Sequence, residues 1–479
     1  MSAFSHLLLS GSARAIGQAI AAGDLTAVDA ATWYLQRIAR FDSGPDGVNA
    51  VRSISPLALD EARRADAELA AGRVRGPLHG VPYLVKDNVF TCDGSPASAG
   101  SQALAGFLPP YEATLVRRLR EAGAVLLGKT NLTEFADFVS DTMPSGFSGA
   151  GGVVRNPHGV PYGRGQGSSV GSAAAVAARF CAFAMGSETQ NSIQAPAVHS
   201  SVVGFKPTVG RISRHGMFPL VPSQDAPGPL TVTVDDAALV AEVMAGADMH
   251  DTATLAPLLG AAPAPLPMQG LRIGIPRRHM ADSVLTPSRE AVFGRVLAAL
   301  TRAGAVIVDP CDLPGADALA EVRSCVFRSE FRASLDTLLE ALRPCGMASM
   351  DDIIRWNRAH LEAIPYGQSL LEAASVAPEL RSPGYLADRR RDLALSIDAG
   401  IAGALAAGEA DVLLAPMSAA AKCTGKAGAP VIAIPAGLDA DGLPFGVTVF
   451  AAPGQDARVL QAALLVERVA GERIAPVLA

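Results

Sequence analysis

The feature that most restricts how this chain can fold is the alternation, over most of its length, of short apolar runs with segments of helical periodicity. Thr26–Phe41 sets Val28, Ala31, Leu35 and Ile38 on one helical face, and the Ala-, Glu- and Arg-rich stretch Leu57–Ala71 stops at Gly72. Glu112–Ala122, Leu132–Phe138, Ser172–Phe180 and Val234–Met244 also read as helices. Val81–Val85, Ala124–Leu127, Val202–Phe205, Arg272–Ile275, Ala305–Val308, Val412–Leu414, Val431–Ile434 and Phe445–Phe450 read as buried strands. Strands separated by helices predict an α/β fold, a large sheet covered by helices on both faces. Residues 316–405 carry helical patterns around one break at Pro383-Gly384 and are expected to form a helical cap. Gly246–Gly270, rich in Ala and Pro, reads as a surface connector, and no internal repeat appears.

Composition narrows the function classes. Hydrophobic residues make up 49% and charged residues 18% of the 479, a globular balance. The net charge is −6, and the longest basic run, Arg389-Arg390-Arg391, reads as a solvated helix face, so no electrostatic grip on nucleic acid is expected. The six cysteines form no CxxC pair and are too sparse for a disulfide scaffold; they are expected to be reduced thiols in a cytoplasm, with no zinc. The longest apolar stretch, Ala173–Met185, is interrupted by Arg179, and the N-terminus lacks a basic leader, so neither a membrane span nor a secretory signal is expected.

Two glycine patterns imitate phosphate sites. Gly123–Thr130 spells Gly-x4-Gly-Lys-Thr, but its middle residues are Ala-Val-Leu-Leu, and they follow a helix where a phosphate loop follows a strand. The segment reads as a strand ending in a turn. Gly163-Arg-Gly-Gln-Gly-Ser168 lacks the dinucleotide spacing, yet its alternate glycines require a tight bend or a close backbone approach.

Three other segments carry reactive groups. Gly165-Gln-Gly-Ser168-Ser169-Val-Gly-Ser172 runs into an alanine-rich helix, which places Ser168 and Ser169 near a helix N-terminus, where developing negative charge is favoured. A plain helix cap with spacer glycines is the alternative. Gly186–Ala197 is a run of small polar residues that brings N–H groups to a turn, with Ser192 at its end as a candidate nucleophile; an ordinary surface turn is the alternative. A serine nucleophile needs a base. His199 lies near in sequence but no nucleophile elbow surrounds either serine, and it reads as structural. Lys86 ends the apolar run Val81–Val85, where burial can leave its amine neutral; a snorkelling surface lysine is the alternative.

Taken together, GVPYLVKDN, GQGSSVGSAAAVAA and GSETQNSIQAPA resemble the three motifs of the amidase signature family, and RGPLHGVP, GKTNLTEFA, VGFKPTVGRISRHG and PVIAIPAGLDADGLPFGVTVF extend the likeness over about 26–470. The resemblance implies one amidase signature domain over 1–479, with a large mixed sheet. It implies a Ser-Ser-Lys triad: Ser192 as the acyl-forming nucleophile, Ser168 (after a cis peptide bond) as proton relay, and Lys86 as neutral base. N–H groups of Thr189, Gln190, Asn191 and Ser192 would form the oxyanion hole, and no metal or cofactor is implied. The implied substrate is a small-molecule amide, hydrolysed in a stand-alone enzyme, and the family suggests a homodimer. Urea-like or hydrazide hydrolysis (allophanate, biuret), an amidotransferase component that supplies ammonia for tRNA-dependent synthesis, and a binding protein on an inactive scaffold are the other readings. The chain departs from the family where Gln190-Asn191 replace Gly-Gly, Gln194 replaces Arg, Glu188 replaces Asp and Val170 replaces Gly. An ion pair between positions 188 and 194 would be lost by these changes.

Overall fold

The computed structural model describes residues 3–44, 46–256 and 266–478. Its strands, in chain order, are β1 (Val51–Ile54), β2 (Pro82–Lys86), β3 (Val125–Thr130), β4 (Phe147–Ser148), β5 (Gly152–Val153), β6 (Phe183–Glu188), β7 (Val203–Lys206), β8 (Ala226–Thr231), β9 (Arg272–Gly274), β10 (Val306–Val308), β11 (Val412–Pro416), β12 (Val431–Leu438) and β13 (Pro444–Phe450). β4 and β5 form a small ribbon, and the other strands form one 11-stranded sheet in the order β1-β3-β2-β6-β8-β7-β12-β13-β11-β9-β10. β2 runs parallel to β3 and β6, and β9 parallel to β10 and β11; the other neighbours are antiparallel. Side chains alternate between the faces of a strand. Every residue of β2, β3, β6, β8, β11 and β13 is buried, so the middle of the sheet is covered on both faces. This is the mixed α/β sheet expected.

Several elements form for legible reasons. Thr26 caps Ala27–Phe41 by accepting the Asp29 N–H, and Asp29 in the first turn favours the positive end of the helix. The phosphate-loop imitation is the buried strand β3, and its Lys129 donates to the Val89 carbonyl inside the core. Arg179, which interrupts the longest apolar run, is buried with φ 57° and donates to the carbonyls of Leu8 and Gly11, fastening the N-terminal helices to the sheet.

Other elements correct the sequence reading. Leu132–Phe138 is not an α-helix but a short 3-10 turn, Glu134–Asp137, in which Phe135, Ala136 and Asp137 take φ of 42°, 56° and 73°. Non-glycine residues reach that region only when packing holds them there. Here Phe135 and Phe138 pack on Phe331, and Phe138 also meets Phe327. Pro383-Gly384 is no break: Pro383 opens the helix Pro383–Leu393, with Ser382 capping it through the Tyr385 N–H. The Arg389–Arg391 run is not wholly solvated, since Arg389 donates to the Lys426 and Ser223 carbonyls. β8 escapes a sequence reading because its Pro227 and Pro229 argue against a strand. Of the β8 residues, β7 pairs with Leu230 and Thr231 only, so both prolines lie where β8 has a ladder on one side alone. From Ala316 to Ala407 the elements are helical, and the connector 246–270 is described only to 256 and from 266.

Candidate active site

β2 and β6 lie side by side and parallel, with Val85 opposite Met185, so their carboxyl ends leave the sheet together. Lys86 ends β2. Beyond β6 comes the turn Thr189–Ser192, followed by the helix Gln194–His199. The serine-rich loop enters from the side and continues as the helix Val170–Ala177. Three segments distant in sequence thus meet at one edge.

Lys86 is fully buried, and its Nζ donates to Ser168 Oγ (2.8 Å), Ser169 Oγ (3.0 Å), Ser187 Oγ (3.1 Å) and the Ser187 carbonyl (3.3 Å). Asn88 Nδ2 donates to the same Ser187 hydroxyl (3.0 Å). Every one of these partners is neutral. Burial therefore dominates, and it lowers the amine from 10.5 to about 7, against the weaker pull of Asp225, Glu188 and Asp137. The Gly167–Ser168 peptide is cis. Ser169 occupies the N-cap position of Val170–Ala177 yet caps nothing with its side chain; its hydroxyl donates to the Ser187 carbonyl (3.0 Å) instead. Of the alternating glycines before it, Gly165 has φ 71°, while a Cβ on Gly167 would lie 2.4 Å from Thr133 Oγ1.

Glu188 closes the turn that leads to Ser192. One carboxylate oxygen accepts the N–H groups of Ile193 (2.6 Å) and Gln194 (2.8 Å), and the other accepts Gln194 Nε2 (2.6 Å). The pairing of positions 188 and 194 is therefore kept as a hydrogen bond from a neutral amide rather than lost. Burial raises the Glu188 carboxyl, and Lys206, the cation that opposes this, is itself lowered to about 8 by burial. Among the described residues, the buried Lys206 Nζ and Gln194 Oε1 have no hydrogen-bond partner. Thr189 is fixed by its hydroxyl, which donates to Asp225 (2.5 Å); Asp225 also accepts the N–H groups of Leu220 and Val221 (2.9 Å each).

The side chains that replace Gly-Gly are anchored. Asn191 Nδ2 donates to the Gly165 carbonyl (2.7 Å), tying the turn to the serine loop. Gln190 lies against Gly425, where an added Cβ would come within 2.8 Å of Gln190 Cα and 2.9 Å of the Thr189 carbonyl. The Ser192 carbonyl accepts the Ser169 N–H (3.1 Å), which sets the two serine segments against each other. Ser168 and Lys86 meet directly. Ser192 joins them through the backbone, and His199 stands apart at the end of its helix, lowered to about 4 by burial. Sequence reasoning missed Ser187 and Ser169 as partners of the amine, Asn88 as the donor to Ser187, and Asp225 as the anchor of Thr189. Ser187 was signalled by its place at the end of β6; Asp225 had no local signal.

Against known proteins, the family model described as Amidase matches residues 29–427. The structure superposes on native peptide amidase from Stenotrophomonas maltophilia with a TM-score of 0.89 and 36% identity, covering 98% of each chain. It superposes on an amidase family protein from Bacillus anthracis with a TM-score of 0.90 and 30% identity, covering 99% of this chain and 93% of the other. In sequence, a glutamyl-tRNA(Gln) amidotransferase component from Ralstonia nicotianae is 36% identical over 93% of this chain and 94% of its own. Among the described residues no helix is long and apolar enough to cross a membrane.

Proposed function

Because this chain belongs to the amidase family, a family of hydrolases that act on amides, we propose that it is a stand-alone carboxamide hydrolase working through Lys86, Ser168 and Ser192. The observation that carries the proposal is the buried Lys86 amine, held near neutrality and bonded to Ser168 at 2.8 Å. In this reading Ser192 Oγ attacks the amide carbonyl carbon while its proton passes to Ser168 and the Ser168 proton passes to Lys86. The N–H groups of Thr189, Gln190, Asn191 and Ser192, curled by the bonds to Glu188, receive the oxyanion. The same relay returns a proton to the leaving nitrogen as the C–N bond breaks, and ammonia or an amine departs. Water then attacks the acyl-enzyme, gives its proton to the relay and frees Ser192.

The likeness to peptide amidase over nearly the full length of both chains supports the stand-alone reading, with the helices of 316–405 assigned to substrate selection. The match to an amidotransferase component supports a second reading, in which ammonia from glutamine is handed to a partner. A homodimer and a cytoplasmic setting, in keeping with six free thiols, complete the proposal. Ammonia release from a panel of amino acid amides, peptide amides, aryl-acetamides, allophanate, biuret and glutamine is the test, with Ser192→Ala and Lys86→Ala alongside. Release from simple amides by the isolated protein, lost in both variants, is expected. Release from glutamine alone would favour the second reading, and activity retained in Ser192→Ala would overturn the assignment of the nucleophile.

A further inference from the structure

Three carboxylates lie within Coulombic reach of Lys86: Asp225, Glu188 and Asp137. Two of them are saturated. Glu188 accepts three donors from the turn it closes, and Asp225 accepts the Thr189 hydroxyl and two backbone N–H groups. Asp137 is different. The Ser145 hydroxyl donates to its Oδ2 (3.0 Å), and among the described residues Oδ1 takes no hydrogen bond. Asp137 is also partly exposed, whereas Ser145, Gly167 and Ser168 beside it are buried. It ends the left-handed turn Phe135–Asp137, which is held on one side by Phe138 against Phe327 and Phe331 of the helix Val326–Leu342. On the other side Ser145 Oγ accepts the Gly167 N–H (2.9 Å), so Asp137 stands two hydrogen bonds from the residue that precedes Ser168. A backbone forced left-handed at three successive positions aims this carboxylate where the helical block meets the serine loop.

A free oxygen on a half-buried carboxylate beside an amine held near neutrality is a receptor for a cation. We propose that Asp137 is a specificity residue that receives a protonated α-amine on the substrate, so that the enzyme selects amides with a free amino group, such as amino acid amides, over their N-acylated counterparts. This rests on the hydrolase reading above. The charged groups that face Asp137 are Lys86 and the exposed Arg164, and both favour its ionised form, while burial raises it to about 6. An α-amine loses its proton near pH 8. The preference is therefore greatest between about pH 6 and about pH 8 and fades on either side.

The test compares phenylalaninamide with N-acetylphenylalaninamide in the wild type, Asp137→Asn and Ser145→Ala. Asparagine keeps an acceptor for Ser145 and removes the charge. The wild type is expected to favour the free amine by about tenfold or more in kcat/KM, the factor one charge-assisted hydrogen bond supplies. Asp137→Asn should erase that ratio through the KM of the free amine. Ser145→Ala, which disturbs the loop and spares the charge, should keep the ratio while lowering both rates. Equal losses on both substrates in Asp137→Asn would make the residue merely structural and overturn the proposal, as would a wild-type preference for the acetylated amide. Protection of Ser192 from a fluorophosphonate probe by the same two compounds reads the preference independently of turnover. Labelling without a free-amine preference refutes this inference alone, and absence of labelling in the wild type refutes the hydrolase reading with it.

Discussion

Replacing Lys86 by methionine should abolish activity and, at neutral pH, make the protein more stable. In the unfolded chain a lysine keeps its proton up to about pH 10.4; in the fold, burial lowers Lys86 to about 7. Between these values the unfolded state binds a proton that the folded state does not, so this group makes stability rise with pH by about 1.4 kcal/mol per pH unit. Below pH 7 both states are protonated, and the fold bears the whole cost of the buried amine, about 5 kcal/mol. Methionine avoids that cost but gives up the bonds to Ser168, Ser169 and Ser187, worth about 1 kcal/mol each. The variant should thus be about 2 kcal/mol more stable than the wild type below pH 7, about 1 kcal/mol more stable at pH 7, where half the amines are already neutral, and about 1 kcal/mol less stable at pH 9, with a crossing near pH 8. Urea unfolding of both proteins at pH 6, 7, 8 and 9 reads the difference, in which the titrations they share cancel. Curves that run parallel over pH 7–9 would show that the amine is an ordinary lysine and would remove the physical basis for a neutral base.

Other perturbations reach separate parts of the site. For the wild type, kcat/KM should fall about tenfold per pH unit below the Lys86 value of about 7, because the protonated amine cannot take a proton; a pH profile flat down to pH 5 would contradict this. Glu188→Ala releases Ile193 and Gln194 and should cost about 10²-fold in kcat, with fluorophosphonate labelling of Ser192 slowed in step. Gly425→Ala presses a methyl group on the backbone of Gln190 and on the Thr189 carbonyl and should lower kcat by about tenfold or more, together with a loss of about 1–3 kcal/mol in stability read as a lower urea midpoint. Arg179→Met strands the Leu8 and Gly11 carbonyls and should destabilise the fold by about 3 kcal/mol, read as a lower urea midpoint with an intact active-site titration.

The layered α/β architecture was legible because β2, β3, β11 and β13 are built around short apolar runs, as strands buried on both faces are. The segments around Lys86, Ser168 and Ser192 were legible because they are distinctive, and the structure brings Lys86 to Ser168. What stayed hidden depends on contacts between distant residues. Nothing near Phe135 announces a left-handed turn, since Phe331, which holds it, lies in another element. Pro227 and Pro229 argue against a strand until the one-sided pairing of β8 is known. The fate of Gln190 and Asn191 was open because Gly425 and Gly165 receive them from elsewhere in the chain. The exchange at positions 188 and 194 looked like a lost ion pair because charge is visible in a sequence and the reach of an amide is not.

The helix Ala421–Ala427 rests on the turn before Ser192, and its Thr424 hydroxyl accepts Gln194 Nε2 across 230 residues of chain. On a ribosome that adds about 5–20 residues per second, this separation corresponds to about 10–50 s. For that interval the emerging polypeptide carries its lysine and its serines without the piece that completes their surroundings. The surroundings of the turn are therefore completed only after Thr424 has emerged, and a chain truncated before Thr424 carries Lys86, Ser168 and Ser192 without the helix on which that turn rests.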